Sequence, residues 1–398
     1  MVRKTGVKSI GIRCPIIREG DDLRDIVVNS VIEAAQSENI KLNDKDVVAI
    51  TESVVARAEG NYATIDQIAK DINNKFGNSE IGVIFPITSR NRFAILLKGI
   101  ARGSKKVILM FSYPSDEVGN AFLSLDDLDE KNVNPYSDVL DLKKYRELFG
   151  YKIHEFTGVD YIDYYEKLVK AENCDCEIIF ANHAKAILEY TKDVLCCDIH
   201  TRVRTKRILK ENGANIVLGL DEILTKSIDG SGYNEKYGLL GSNKATEEKV
   251  KLFPREDCKN LVFDIQKEFK EKINKNIEVM VYGDGAFKDP QGKIWELADP
   301  VVSPAFTDGL KGTPNELKLK YLADNDYKDL TGDELKNAIK DSIKKKDNDL
   351  KGKMASEGTT PRQITDLLGS LCDLTSGSGD KGTPVILVQG YFDNYTND

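Results

Sequence analysis

"KDVVAITESVVARAEG", residues 45–60, decides how this chain is to be read. Four apolar residues in a row, Val47 to Ile50, suit a strand buried on both faces. The strand runs into a polar Glu-Ser turn, and "TIDQIAKDINNKFG" beyond it has helical spacing that ends at Gly77. Upstream, "VKSIGIRCPII" (7–17) is β-rich, and "LRDIVVNSVIEAAQSENI" (23–40) reads as a helix with Asp21 or Asp22 as its N-cap. Downstream, "KKVILMFSY" (105–113) is another strand, ending in the acidic loop "PSDEVGN". Strands and helices thus alternate, and each strand ends in polar residues, where open α/β sheets hold their ligands. The expected class is α/β to α+β.

At 398 residues the chain exceeds one ordinary core, so more than one domain is expected. The divisions fall at 1–120, 121–235 and 236–398. The middle segment carries its own strand–helix rhythm through "CEIIFAN", "DVLCCDIHTR" and "NIVLGLDEIL", which suggests an inserted α/β subdomain. The last segment holds "YGLLGSN", a helix at about 256–275, the strand "NIEVMVYGDG", a Lys/Asp-rich stretch and a final helix–loop–strand. A net charge of −8 argues against an extended phosphate-backbone footprint, so nucleic acid is not an expected partner. No apolar run approaches the ~20 residues of a membrane span, and the first residues lack the apolar core of a signal peptide. Seven irregularly spaced cysteines read as reduced thiols, which makes the cytoplasm the expected compartment.

Three constellations carry chemistry. The loop "SGSGDKGTP" (376–384) lets the backbone approach an anion, although such loops are also plain connectors. Asp284 follows a continuous apolar strand, and Asp116 and Glu117 end another; carboxylates so placed suit hard cations such as Mg²⁺ or Mn²⁺, or simply turn the chain. In "CCDIHTR" (196–202), strand alternation would put Asp198 and His200 on one face, next to Arg202. That face is either plain polar surface or a metal or phosphate site. The adjacent cysteines lack the knuckle spacing of a zinc site.

Several pieces, taken in order, resemble the coenzyme F420-0:L-glutamate ligase family: "PIIREGDDL", "TESVVARAEG", "GSN", "VMVYGDG", and a Gly-rich loop running into "GTPVILVQGY". The resemblance covers about 7–75, 237–310 and 358–391, and leaves about 80–235 without a counterpart. It implies a two-domain ligase that forms an intertwined homodimer, uses GTP (or ATP) and a divalent metal, and joins glutamate to a carboxylate acceptor. Carried over by motif, Pro15, Ile16, Ile17 and Arg18 would line the nucleotide, and Glu52 and Ser53 would hydrogen-bond to it. Arg57 would stand for a phosphate-facing lysine, Ser242 and Asn243 would bind nucleotide, and Asp284 would hold metal. Gly377, Ser378, Gly379, Asp380 and Gly382 would cradle phosphates. Arg18, Arg57 and Asp284 would be the catalytic set.

The chain departs from the family pattern at Leu240, Gly285 and Ser378, where the family has Asp, Thr and Glu. Asp116, Glu117, Asp198 and His200 are then substitute metal ligands, and a middle segment closing over the cleft would bring Asp198 and His200 within ~10 Å of Asp284. Alternatively, the scaffold binds a nucleotide or metabolite without turnover, or the ligase polyglutamylates folate or another pterin.

Overall fold

The computed structural model describes residues 5–154, 157–283, 303–356, 362–376 and 380–397, with the backbone of two short strands at 286–288 and 295–297. Its strands, in chain order, are β1 (Lys8–Ile12), β2 (Val47–Thr51), β3 (Tyr62–Thr64), β4 (Glu80–Ile84), β5 (Lys106–Phe111), β6 (Leu140–Asp141), β7 (Asp175–Phe180), β8 (Asp193–Cys196), β9 (Ile216–Gly219), β10 (Asn243–Thr246), β11 (Lys249–Lys251), β12 (Glu278–Tyr282), β13 (Ala286–Lys288), β14 (Trp295–Leu297), β15 (Ala305–Phe306) and β16 (Val385–Gln389). The architecture is mixed α/β, as expected.

β2 lies in a five-stranded sheet of order β1-β16-β2-β12-β15, in which only β2 and β12 run parallel. Alternation explains the apolar run. Val48 and Ile50 pack with Val279, Val281, Val385 and Leu387 on one face, while Val47 and Ala49 join Met280, Tyr282, Ile386 and Val388 on the other. The first face is covered by helix α1 (Leu23–Ser37) and a helix at Cys258–Ile273, the second by a helix at Ile364–Ser376.

Asp22 caps α1 by accepting from the Asp25 amide at 3.2 Å. Asp21 instead accepts from the Arg18 amide at 2.6 Å, so it holds the loop rather than the helix. Helix α2 (Glu52–Ala58) leaves β2 directly, and helix α3 (Ile65–Phe76) opens with a capping box between Thr64 and Gln67.

The second sheet, of order β6-β7-β5-β4-β8-β9, takes its strands from residues 80–219. Five of its strands are parallel and β6 is an antiparallel edge. Helix α4 (Phe93–Arg102) covers it with an almost wholly buried face. A third sheet, β10-β11-β3, packs Ala63, Val250 and Leu252 into the same core as Ile81, Val83 and Leu109. Its turn is pinned to α4, where Lys98 donates to Glu248 at 2.7 Å and Arg102 reaches Glu248, Asp66 and Glu172.

One strand ends sooner than its sequence alternation suggests. β8 stops at Cys196, and the chain turns before a helix at Arg202–Glu211. Asp198 accepts from the Thr201 and Thr205 hydroxyls at 2.7 and 2.6 Å, and Glu117 accepts from the amides of Ile199, His200 and Thr201. Asp198 is therefore buried and His200 exposed, not side by side on a strand face. All seven cysteines are free.

A candidate nucleotide cleft between the hairpin and helix α2

The third sheet sets one transverse row of side chains. In its register Lys251 pairs with Asn243 on β10 and with Tyr62 on β3. Lys249, two residues before Lys251, points to the same face. Opposite this face stands α2, with Ser53 and Arg57 four residues apart on one side of the helix. The lip is the loop 18–20, docked on α2 by the Gly20 amide donating to the Ala58 carbonyl at 2.9 Å. Gly60 makes that docking possible: its φ is +64°, and a Cβ there would lie 2.6 Å from the Glu19 carboxylate.

Between these walls lies a cleft of ≈ 570 Å³, lined by Arg18, Glu19, Ser53, Arg57, Tyr62 and Asn243 together with residues 244–246, Lys249 and Lys251. Its size suits a small-molecule ligand. Cations dominate it. Arg18, Arg57, Lys244, Lys249 and Lys251 face Glu19, while Glu247 is ion-paired to Lys244 and Glu52 to Lys251. Lys249 Nζ sits 4.4 Å from the centre of the Tyr62 ring. Burial raises the Tyr62 phenol pKa, with Arg57 pulling it down and Glu19 pushing it up.

The structure thus gathers Arg18, Ser53, Arg57 and Asn243 from three distant segments. Other residues assigned by motif fall elsewhere. Ile17 is buried in the core under α1, while Pro15 and Ile16 are exposed and do not line the cleft. Glu52 is 4% exposed and engages Lys251. Ser242 lies buried beside the cleft, its hydroxyl donating to the Leu239 carbonyl, and Leu240 is buried in the core.

Gly382 accepts through its carbonyl from the Cys14 amide at 3.1 Å, and the chain, past exposed Asp380, enters β16 at the end of the sheet from which β1 and β2 deliver Arg18 and Ser53. Gly377, Ser378, Gly379, Asp284 and Gly285 lie outside the described residues. Sequence reading passed over Tyr62, Lys244, Lys249 and Lys251; the "KVK" alternation at 249–251 was the available signal.

Among the described residues no group of three or more His, Cys, Asp or Glu side chains is placed to hold a metal ion. Asp116 is buried and its two oxygens accept five hydrogen bonds, from Thr88, Val118 and Asn120. Glu117 is taken up by three amides, as described. The distance from Asp198 and His200 to Asp284 lies outside the described residues. No helix among them is long and apolar enough to cross a membrane.

One carboxyl near α2 titrates in an accessible range. Glu59 accepts from the Arg255 amide at 2.9 Å, yet burial pushes its pKa up from 4.5 to about 7. The folded state therefore favours the neutral acid. That contribution is fully present below pH 4.5 and is lost as pH rises through about 7. Glu59→Gln, which keeps the acceptor, is expected to match the wild type near pH ~5 and to exceed it by about 2–3 kcal/mol at pH ~8. Urea unfolding at the two pH values measures it, and an equal difference at both refutes it.

A loop-framed cleft rich in cations thus lies beside a mixed β-sheet. The chain matches the family model F420-0:Gamma-glutamyl ligase over residues 11–390, a span that takes in 80–235, and it belongs to that family. Membership implies a gamma-glutamyl ligase acting on small molecules. No curated protein matches the sequence.

Proposed function

We propose that this protein uses GTP (or ATP) to form a γ-glutamyl-type amide bond between glutamate, or a related amino acid, and a small carboxylate acceptor. The observation that supports it is the convergence of Arg18, Ser53, Arg57 and Asn243 with three lysines around one cleft. A carboxylate is a poor electrophile. In the proposed reaction an acceptor oxygen attacks the γ-phosphorus and the nucleoside diphosphate leaves, giving an acyl phosphate. The amine of glutamate, after losing a proton, attacks the acyl carbon, and phosphate departs. The protein's part is to position the partners and stabilise charge on the transferring group, which guanidinium and ammonium groups do well. No protein nucleophile is needed.

Mg²⁺ or Mn²⁺ belongs to the proposal as companion of the phosphates, with Asp284 as its protein carboxylate; bound there, the cation would neutralise phosphate charge. β12 runs parallel to β2 with Tyr282 opposite Thr51, so it delivers the chain to the sheet edge that carries Glu52 and α2. Asp284→Ala is expected to weaken Mn²⁺ binding, read by electron paramagnetic resonance, while leaving circular dichroism unchanged. A homodimer in the cytoplasm completes the reading.

The test is a coupled assay of nucleoside diphosphate release over a panel of amino acids and carboxylate acceptors, pterins and folates included, with the amide product identified by mass. Release that requires both partners supports the proposal. Folded protein that binds nucleotide and never turns it over supports the second reading, a binding protein on the ligase scaffold. That reading is favoured by one observation: Leu240, at the family's Asp position, is committed to the apolar core.

A further inference from the structure

The floor of the cleft holds an ion pair that neither the fold nor the motif requires. Lys251 Nζ lies 3.1 Å from both Glu52 oxygens, with the two side chains 9% and 6% exposed. Burying two charges costs desolvation that their attraction repays poorly, and an apolar pair of similar size is often at least as stable. The pair is thus a weak way to stabilise the join between α2 and β11. It is a good way to fix the position of an ammonium in a confined place.

Nζ carries three hydrogens, and two suffice for Glu52. Lys251 lines the cleft between Tyr62 and Asn243 in the transverse row, with Lys249 on the same face and Arg57 on the helix opposite. Glu52, by contrast, is not among the cleft-lining residues. An anion entering the cleft therefore meets the ammonium, not the carboxylate behind it.

We infer that Lys251 is the phosphate-binding lysine of this cleft and that Glu52 is its positioning residue, holding Nζ aimed at the ligand. This rests on the proposed nucleotide site and adds a specific phosphate ligand to it. The ligand class is a polyphosphate: four further cations, Arg18, Arg57, Lys244 and Lys249, line the same space and match a chain of phosphates better than a single carboxylate. The role of the family's phosphate-facing lysine is then divided here between Arg57 on α2 and Lys251 on β11.

The experiment is titration calorimetry of the full chain with inorganic tripolyphosphate, and separately with GTP and ATP. Wild type is compared with Lys251→Met, Glu52→Gln and the double variant. The double variant replaces both charges with neutral groups of similar shape, so it keeps the question answerable if Lys251→Met alone fails to fold. Loss of the lysine, in the single or the double variant, is expected to weaken tripolyphosphate binding by ~10-fold or more. Glu52→Gln is expected to weaken tripolyphosphate binding by a smaller factor, ~3-fold, because Nζ keeps only one of the two oxygens that orient it. A purely structural pair would change the unfolding midpoint and leave both affinities alone. Equal tripolyphosphate affinity in folded wild type and double variant overturns the assignment of Lys251 while leaving the cleft reading standing. A wild type that binds neither tripolyphosphate nor nucleotide overturns both.

Discussion

For the proposed reaction, Arg57→Ala is expected to lower kcat/KM for the nucleotide by ~10²–10³-fold while changing stability by no more than about 0.5 kcal/mol. The asymmetry follows from where Arg57 sits. Its side chain is exposed, on the last turn of α2, and reaches into the cleft with Arg18 and the row of Tyr62, Lys251 and Asn243. Removing it opens no core cavity. It does remove a planar, permanently charged donor fork from a site where, in the proposed reaction, negative charge gathers in the transition state. Arg57→Lys should fall between the two, because it retains charge and loses the fork. Diphosphate release under single-turnover and steady-state conditions measures this. An Arg57→Ala enzyme within ~3-fold of wild type would show that the phosphates lie elsewhere.

The largest stability effect is expected at Asp116. Its carboxylate is 5% exposed. Oδ2 accepts from the Thr88 amide at 2.7 Å, the Thr88 hydroxyl at 2.9 Å and Asn120 Nδ2 at 2.8 Å; Oδ1 accepts from the amides of Val118 and Asn120. These bonds tie the loop after β5 to the loop after β4. Burial pushes the Asp116 pKa up, and the hydrogen bonds from Asn120 and Thr88 pull against it. Alanine would leave three backbone amides and two side-chain donors without their acceptor, each worth about 1–3 kcal/mol when buried and unsatisfied. Water would recover part of that, so about 4 kcal/mol is the expected loss by urea unfolding. A loss below about 1 kcal/mol would mean that this loop does not need the carboxylate. The same result would reopen its reading as a metal ligand.

Local rules made much of the fold legible. The unbroken "VVAI" run and the Gly77 stop each depend on neighbours a few residues away, and each appears where sequence places it. The site was half legible for the same reason. Ser53 and Arg57 belong to one continuous motif, whereas Lys249 and Lys251 look like the solvated face of a short hairpin until β3 is laid beside it. The placing of Asp198 and His200 on one strand face failed because polar–apolar alternation continues for several residues past the true end of β8. Past that end Glu117, distant in sequence, accepts from the amides of 199–201 and holds the turn. No window along the chain contains that contact.

The order in which the chain meets its own partners has a kinetic consequence. Glu52 and Lys251 are 199 residues apart in sequence, and between them lies the whole six-stranded sheet. Closing so long a loop as free chain is slow and entropically unfavourable. A collapsed parallel sheet shortens it by bringing residues 64 and 243 near each other before they pair. The cleft should therefore be among the last parts to form during folding and among the first to open under denaturant. Hydrogen exchange of the β3, β10 and β11 amides would then run ahead of exchange in β4, β5 and β7, and a polyphosphate bound in the cleft would slow the first group more than the second.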